Sequence, residues 1–278
     1  MSIIKEEKMA ATLTERVDET VRRLLEDAEG IVLVVDPSEQ VVEEIVDAAT
    51  ESDDPPTLRL LADESTLKAV MRDFLVASNA ADLIDAGDLS MRTADVEPGN
   101  ELLITEDELT ALVWSRGAVA ALSTDEADFV ESAYSAYTDD WENAPEFSLR
   151  TPPLSRVRET LREDIGDATA VDFDAVLASL ETARGNGDGL DEVTISLLVA
   201  AKNEELLYDI SKWGEDVGIA SKATFSRTKT TLEDLGLIDT EKVPIDVGRP
   251  RLRLKFGHEK LEGATADELA SVAQGLMA

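Results

Sequence analysis

The chain has 278 residues, 43% of them apolar, with a formal charge of −34 and no cysteine. That apolar share is too high for a disordered acidic chain, and the length fits roughly two domains. The composition excludes disulfides and thiolate metal sites, and no apolar run approaches the ~20 residues that span a bilayer.

Met1 to Thr14 is polar and has no apolar core, so it does not read as a signal peptide. We expect a soluble cytoplasmic protein without membrane contact. Uniform acidity of this density fits a cytoplasm of molar salt, where the Debye length shrinks to ~3 Å and crowded carboxylates repel less.

In chain order, apolar residues at three- and four-residue spacing predict a helix over Leu13 to Ala28. The continuous apolar run Ile31 to Val35, closing at Asp36, reads as a buried parallel strand. Pro37-Ser38 then starts a helix through about Thr50. Thr57 to Leu61 is a second strand, followed by a helix over Glu64 to Ala77 and a short one over Ala80 to Ala86. Leu89 to Thr93 is a third strand. Pro98-Gly99-Asn100 turns into Glu101 to Thr105, and Leu109 to Trp114 with Val119 to Leu122 forms a hairpin about Ser115 to Ala118. An amphipathic helix spans Asp125 to Trp141. This β-α-β-α-β order, closing on antiparallel strands, predicts an α/β domain with a mixed sheet over residues 1–142, with a regulatory or dimerising role.

Pro145, Pro152 and Pro153 mark a linker. With the helices Leu154 to Ile165 and Phe173 to Thr182, and the break Gly185 to Gly189, it fills residues 143–189. The remainder, 190–278, reads helix, turn, helix, turn, helix, hairpin. The three helices are Glu192 to Asn203, Leu206 to Asp216 and Ser221 to about Leu235. Gly218 suits a left-handed turn between the second and third, and Ser221 caps the third. Phe225, Thr228, Leu232 and Leu235 face the core. Ser221, Lys222, Thr224, Ser226, Arg227, Lys229 and Thr230 supply the cations and hydroxyls that suit phosphates and major-groove base edges. After Gly236-Leu237-Ile238 and a long turn from Val243 to Pro250, the strand Arg251 to Phe256 alternates. Leu252, Leu254 and Phe256 go inward, and Arg251, Arg253 and Lys255, joined by Arg249, go outward.

The sign of the charge supports this choice of surface. Lys202 to Lys260 holds 11 basic and 11 acidic residues, so all the excess negative charge lies elsewhere. Within Ile219 to Gly257 there are 8 basic and 5 acidic residues. A basic helix beside a basic hairpin predicts contact with double-stranded DNA.

The run Ile219 to Arg227, followed by Leu232-Glu233-Asp234-Leu235-Gly236-Leu237-Ile238, resembles the recognition helix and first wing strand of winged helix-turn-helix regulators. The whole chain resembles the TbsP family of haloarchaeal transcriptional regulators. That resemblance implies a repressor-type, sequence-specific DNA-binding regulator of gluconeogenic or glycolytic genes. A homodimer is expected, because symmetric operators need two readers. The competing reading is a protein–protein adaptor that keeps the winged-helix domain without touching DNA.

Other signals carry less. His258 follows the last strand with no serine or aspartate partner, which predicts a surface or capping role and no catalytic residue. Gly185, Gly187 and Gly189 lack the preceding strand of a dinucleotide fingerprint, and Asn186, Asp188 and Asp191 lack a calcium-loop pattern. No cofactor or metal is expected. Arg59, Arg92 and Arg116 lie on or beside strands and could clamp a small anionic metabolite. The helix opened by Thr265 to Glu268 packs either on its own domain or on a partner subunit.

Overall fold

The protein is described from a computed structural model covering residues 10–14, 16–94, 100–116, 118–183, 190–245 and 250–277. It divides into two compact units, Met1–Leu149 and Arg150–Ala278.

The first unit is built on β1 (Ala10–Thr14), β2 (Ile31–Val35), β3 (Thr57–Ala62), β4 (Leu89–Thr93), β5 (Glu101–Ile104), β6 (Leu109–Ser115) and β7 (Ala118–Thr124). They form one mixed sheet in the order β1-β7-β6-β5-β2-β3-β4. β2, β3 and β4 run parallel, and the other pairings are antiparallel. Val32 to Val35 are buried on both faces of the sheet, as a central strand between β5 and β3 requires.

The faces are filled unequally. α1 (Val17–Glu26), α2 (Glu39–Glu51), α3 (Glu64–Val70) and α4 (Phe74–Ala86) pack with Val32, Val34, Leu58, Leu60, Leu103 and Leu112 on one side. On the other, α5 (Ala127–Asn143) contributes only Val130 as a buried residue against Leu33, Val35, Ile104 and Leu109.

Two expectations are corrected. Ala10–Thr14 is a strand paired with β7, and the helix begins only at Val17. The β-branched Thr12 and Thr14 disfavour helix, while Asp18 and Glu19 suit a first turn. The helix expected over Glu64 to Ala77 is two. The carboxylate of Asp73 accepts from the amides of Leu75 and Val76 at 2.9 and 3.1 Å, which caps α4 and breaks the run.

The second unit comprises α6 (Leu154–Asp164), α7 (Asp167–Ala183), α8 (Glu192–Lys202), α9 (Leu207–Val217), α10 (Lys222–Asp234), β8 (Ile238–Val243), β9 (Arg251–Phe256), α11 (Glu259–Glu262) and α12 (Ala266–Met277). α7 begins before the expected Phe173 and packs against α6, α8 and α12. Trp213 is buried, sits edge-on to Phe173 and donates its indole N–H to Thr160 Oγ1 at 3.0 Å. α12 buries Leu269 and Ala273 against α7 and α8, within its own unit. His258 caps α11, its Nδ1 accepting from the Lys260 amide at 3.1 Å, as the capping reading expects.

Candidate nucleic-acid interface

The site begins with a close approach between two helices. A Cβ on Gly214 would stand 2.4 Å from the ring of Phe225, so only glycine lets α10 seat its buried phenyl on α9. Gly218, at φ +99, turns the chain, and the Ile219 amide bonds back to the Gly214 carbonyl at 2.8 Å. Ser221 Oγ then accepts from the Thr224 amide at 3.2 Å and starts α10. The result is a helix-turn-helix, α9 followed by α10, with α8 behind both.

Phe225 and Leu232 hold α10 to the core. Ser221, Ser226, Arg227 and Thr230 are exposed on its outer side, and Lys222 and Thr224 are half-buried. Two expectations about this helix change. Leu235 is 46% exposed rather than core. Lys229 does not project outward: its side chain is 12% exposed and pairs with Glu233 at 2.6 Å, while Glu233 also accepts from Thr240 on β8. Its aliphatic stem is used for packing, and its charge is satisfied one turn away.

The hairpin β8–β9 follows in register from Ile238↔Phe256 to Val243↔Arg251. Leu206 bridges Arg253 on the other side of β9, so the hairpin is tied to the segment before α9. Leu254 is buried, whereas Leu252 and Phe256 are half-buried. Arg251, Arg253 and Lys255 are half-buried rather than fully outward, because that face leans on the segment from Glu204 to Tyr208. Arg249 lies outside the described residues, as does most of the turn that carries it.

The electrostatics differ from a bare cationic patch. Lys222 pairs with Glu215 at 2.7 Å, Lys255 with Glu241 at 2.6 Å, and Arg253 with Glu204 at 4.0 Å. Hydrogen bonding to Lys222 holds the Glu215 carboxyl below its ordinary range, and the Lys222 ammonium is raised in return. Glu241 and Lys255 shift in the same opposed directions for the same reason. Carboxylates thus stand against Lys222, Lys229, Arg253 and Lys255 of this surface. Among the described residues, Arg227 has no ion pair, and Arg251 meets no carboxylate but lies 3.4 Å above the ring of Tyr208.

Tyr208 and the exposed Lys242 of β8 belong to this surface and were not foreseen. Lys242 was legible, as a cation immediately before the turn of a basic hairpin. Tyr208 carries no periodic signal.

The arginines of the first unit do something different. Arg59 and Arg92 stack on the ring of Trp141, at 4.6 and 4.1 Å. Arg92 Nη1 also donates to the carbonyls of Trp141, Glu142 and Ala144, so it caps the end of α5. Arg116 is exposed in the β6–β7 turn, and β6, β5 and β2 lead from that turn to β3. The three therefore do not converge. A groove of about 980 Å³ at the carboxyl ends of β3 and β4 is lined by Asp63, Glu64, Thr93, Tyr137 and Asp140 among others, with no cation. The neighbouring position between β2 and β5, where open α/β sheets hold ligands, is filled by Glu101. Its carboxylate accepts from the Ser38 amide at 2.9 Å and from the Trp114 indole at 2.7 Å. Among the described residues no cluster of His, Asp or Glu is placed to hold a metal ion, and no helix is long and apolar enough to cross a membrane. Gly185 to Gly189 lie outside the described residues.

Residues 9–152 match the family described as "Transcriptional regulator TbsP-like, N-terminal", and residues 153–274 match "Transcriptional regulator TbsP-like, C-terminal HTH domain". Direct comparison with curated proteins gives no match. Among solved structures, the archaeal chromatin protein TrmBL2 is similar at 15% identity and a TM-score of 0.37, over 52% of this chain and 57% of that one. The chain thus spans little more than half of TrmBL2. The phospholipase D family member Nuc from Salmonella typhimurium gives 11% identity and 0.37, over 51% of this chain and 99% of its own. NucT from Helicobacter pylori gives 13% and 0.34, over 51% and 100%.

Proposed function

Because the chain belongs to the TbsP-like transcriptional regulators, we propose that it reads double-stranded DNA as a homodimer, with α10 in the major groove and β8–β9 on the phosphates. The observation that carries this reading is the outer side of α10. Ser226, Arg227 and Thr230 are exposed together there, next to the hairpin bearing Arg251, Arg253 and Lys255. Arg227 is the one of these cations with no internal partner among the described residues, which suits a bidentate contact to a guanine edge. Lys229 is left out of the interface.

The remaining cations must exchange a carboxylate for a phosphate when DNA docks. Glu215, Glu204 and Glu241 are then left facing a polyanion and take up cations from solution. This uptake offsets the counterions released by Lys222, Arg253 and Lys255, so affinity falls less steeply with salt than the usual slope of about −0.9 per phosphate contact. The net charge of −34 supports a habitat of molar salt, where such an exchange costs least. By family resemblance the regulated genes are those of central carbon metabolism, with the protein acting in the cytoplasm. Arg59 and Arg92 are engaged on Trp141, which leaves Arg116 as the free cation for any anionic effector.

The paired state of Lys222, Arg253 and Lys255 favours a second reading, an adaptor whose winged helix binds protein. A mobility shift in molar KCl separates the two. The wild type is expected to retard operator DNA, and Arg227→Glu with Arg251→Glu to abolish the shift. Retardation unchanged in the double variant rejects this interface, and no shift on any genomic fragment favours the adaptor.

A further inference from the structure

We propose that the open face of β6 and β7, with the adjoining flank of α5, is where a second copy of this chain docks. The proposal rests on the dimeric reading above and assigns the surface that makes the dimer.

Register fixes which residues share this face. Leu102 pairs with Ala111 and Ile104 with Leu109, both on the side that α5 covers. Continuing by alternation, Ala111 faces Leu122 and Val113 faces Ala120 across β6 and β7. α5 lies over β2 and β5 and meets the near end of β6 at Leu109. Val113 is 40% exposed, and Phe129 at the start of α5 is 54% exposed. Tyr134, Tyr137 and Trp141 of α5 are half-buried against the sheet, which leaves Phe129 as the exposed large apolar side chain of the helix. Phe129 and Val113 are apolar surface that the unit does not cover with its own elements.

Charge argues for the identity of the partner. The first 149 residues hold 10 basic and 36 acidic residues, yet the 19 residues of β1, β6 and β7 hold none of either. Packing under α1 accounts for the inner face of β7, with Val119 and Ala121, but not for the outer one. Two copies at −34 each repel everywhere except where carboxylates are missing, so the uncharged face is where like can meet like. A basic or acidic protein partner would instead select charge there. Alanines at 111, 118 and 120 let two sheets stack at the usual spacing of ~10 Å. The two strands β6 and β7, of seven residues each, make a flat patch of about 200 Å², short of the ~800 Å² per partner that a stable interface buries. The flank of α5 with Phe129 is therefore part of the surface.

The test measures the mass of the full chain by light scattering in molar KCl, in parallel with the mobility shift. The wild type is expected at twice 30.1 kDa, Val113→Glu and Leu122→Glu at 30.1 kDa with a native circular dichroism spectrum, and Val171→Glu, a carboxylate added at an exposed site of α7, still dimeric. Because the chain has no cysteine, Val113→Cys gives a second, conservative test that does not depend on tolerance of a buried charge. A flexible bis-maleimide is expected to link Val113→Cys chains into pairs and to leave Val171→Cys unlinked. A monomeric wild type, or a dimer unaffected at Val113 and Leu122 and unlinked at Val113→Cys, overturns the assignment. A dimer that dissociates as expected but never shifts DNA upholds this surface and overturns the DNA-reading function.

Discussion

The guanidinium of Arg251 lies 3.4 Å above the ring of Tyr208, joining the last strand of the hairpin to the first turn of α9. Nη1 of Arg251 is shielded from solvent and has no acceptor among the described residues, and the stack holds the cation without neutralising it. In a surface where Lys222, Arg253 and Lys255 meet carboxylates, this arginine keeps its full charge for a phosphate.

That arrangement predicts a split between ring and hydroxyl. Tyr208→Phe should bind DNA like the wild type, because a phenyl face still orients the guanidinium. Tyr208→Ala should lose about 1 kcal/mol of cation–π attraction, or roughly fivefold in affinity, and shift thermal stability little. Fluorescence anisotropy on a labelled operator would check it. Equal affinities for the alanine and wild-type chains would show that the ring is incidental.

The helix-turn-helix itself depends on Gly214. With its Cβ placed 2.4 Å from Phe225, Gly214→Ala must push α9 from α10 or force the phenyl out of a site where it is fully buried. Overpacking of this kind costs about 1–3 kcal/mol, visible as a lower urea midpoint. Trimming the obstacle in Gly214→Ala/Phe225→Leu should recover part of it. A double variant no more stable than the single one would mean that the strain lies elsewhere.

Glu44 in α2 offers a pH test in the first unit. Its carboxyl is raised above the ordinary range, first by partial burial and then by Asp18, Asp47 and Glu43, with Arg16 opposing. A folded value above the unfolded one means that the native state holds the proton more tightly. The charged form is thus penalised in full at neutral pH, and the penalty fades as pH falls through the raised value. Glu44→Gln should therefore stabilise the fold at neutral pH, by at most about 1 kcal/mol after solvent screening. The gap to wild type should close in acid and shrink in molar KCl. A constant gap across pH would point to packing instead.

The outline of both units was legible because their strands and helices follow local rules. β4 and β9 begin and end where alternation and turn residues place them. The break before α4 was missed because Asp73 caps a helix inside an otherwise continuous apolar period, and the capping bond outweighs the pattern. The candidate site was legible by residue type but not by partner. Glu215 reaches Lys222 across the turn at Gly218, and Tyr208 reaches Arg251 across the whole length of α10 and the hairpin. The first pair is seven apart but lies on two helices broken at Gly218, and the second has no periodic spacing, so no one-dimensional period reports either. The same holds for Arg92, whose neighbours at Trp141 to Ala144 come from the far end of the first unit's chain.

The Glu215–Lys222 pair decides how the interface answers to salt. Lys222 Nζ donates to one carboxylate oxygen at 2.7 Å and its backbone amide to the other at 3.2 Å, so Glu215 sits at the start of α10, where a phosphate would also be drawn. The pair is intact between two limits. Its contribution to stability is lost in acid as pH falls through the depressed Glu215 value, and in base as pH rises through the raised Lys222 value. Binding near neutrality should therefore be flat with pH. Glu215→Gln removes the competitor while leaving an amide that can still cap the helix. Operator affinity should rise, on the order of fivefold for one charge at the rim of a charged interface. The dependence on KCl should steepen, because Lys222 then releases a counterion with no cation taken up beside it. Titrations at several KCl concentrations would read both quantities. A Glu215→Gln chain with weaker binding and an unchanged salt slope would show that the carboxylate supports DNA contact rather than competing with it.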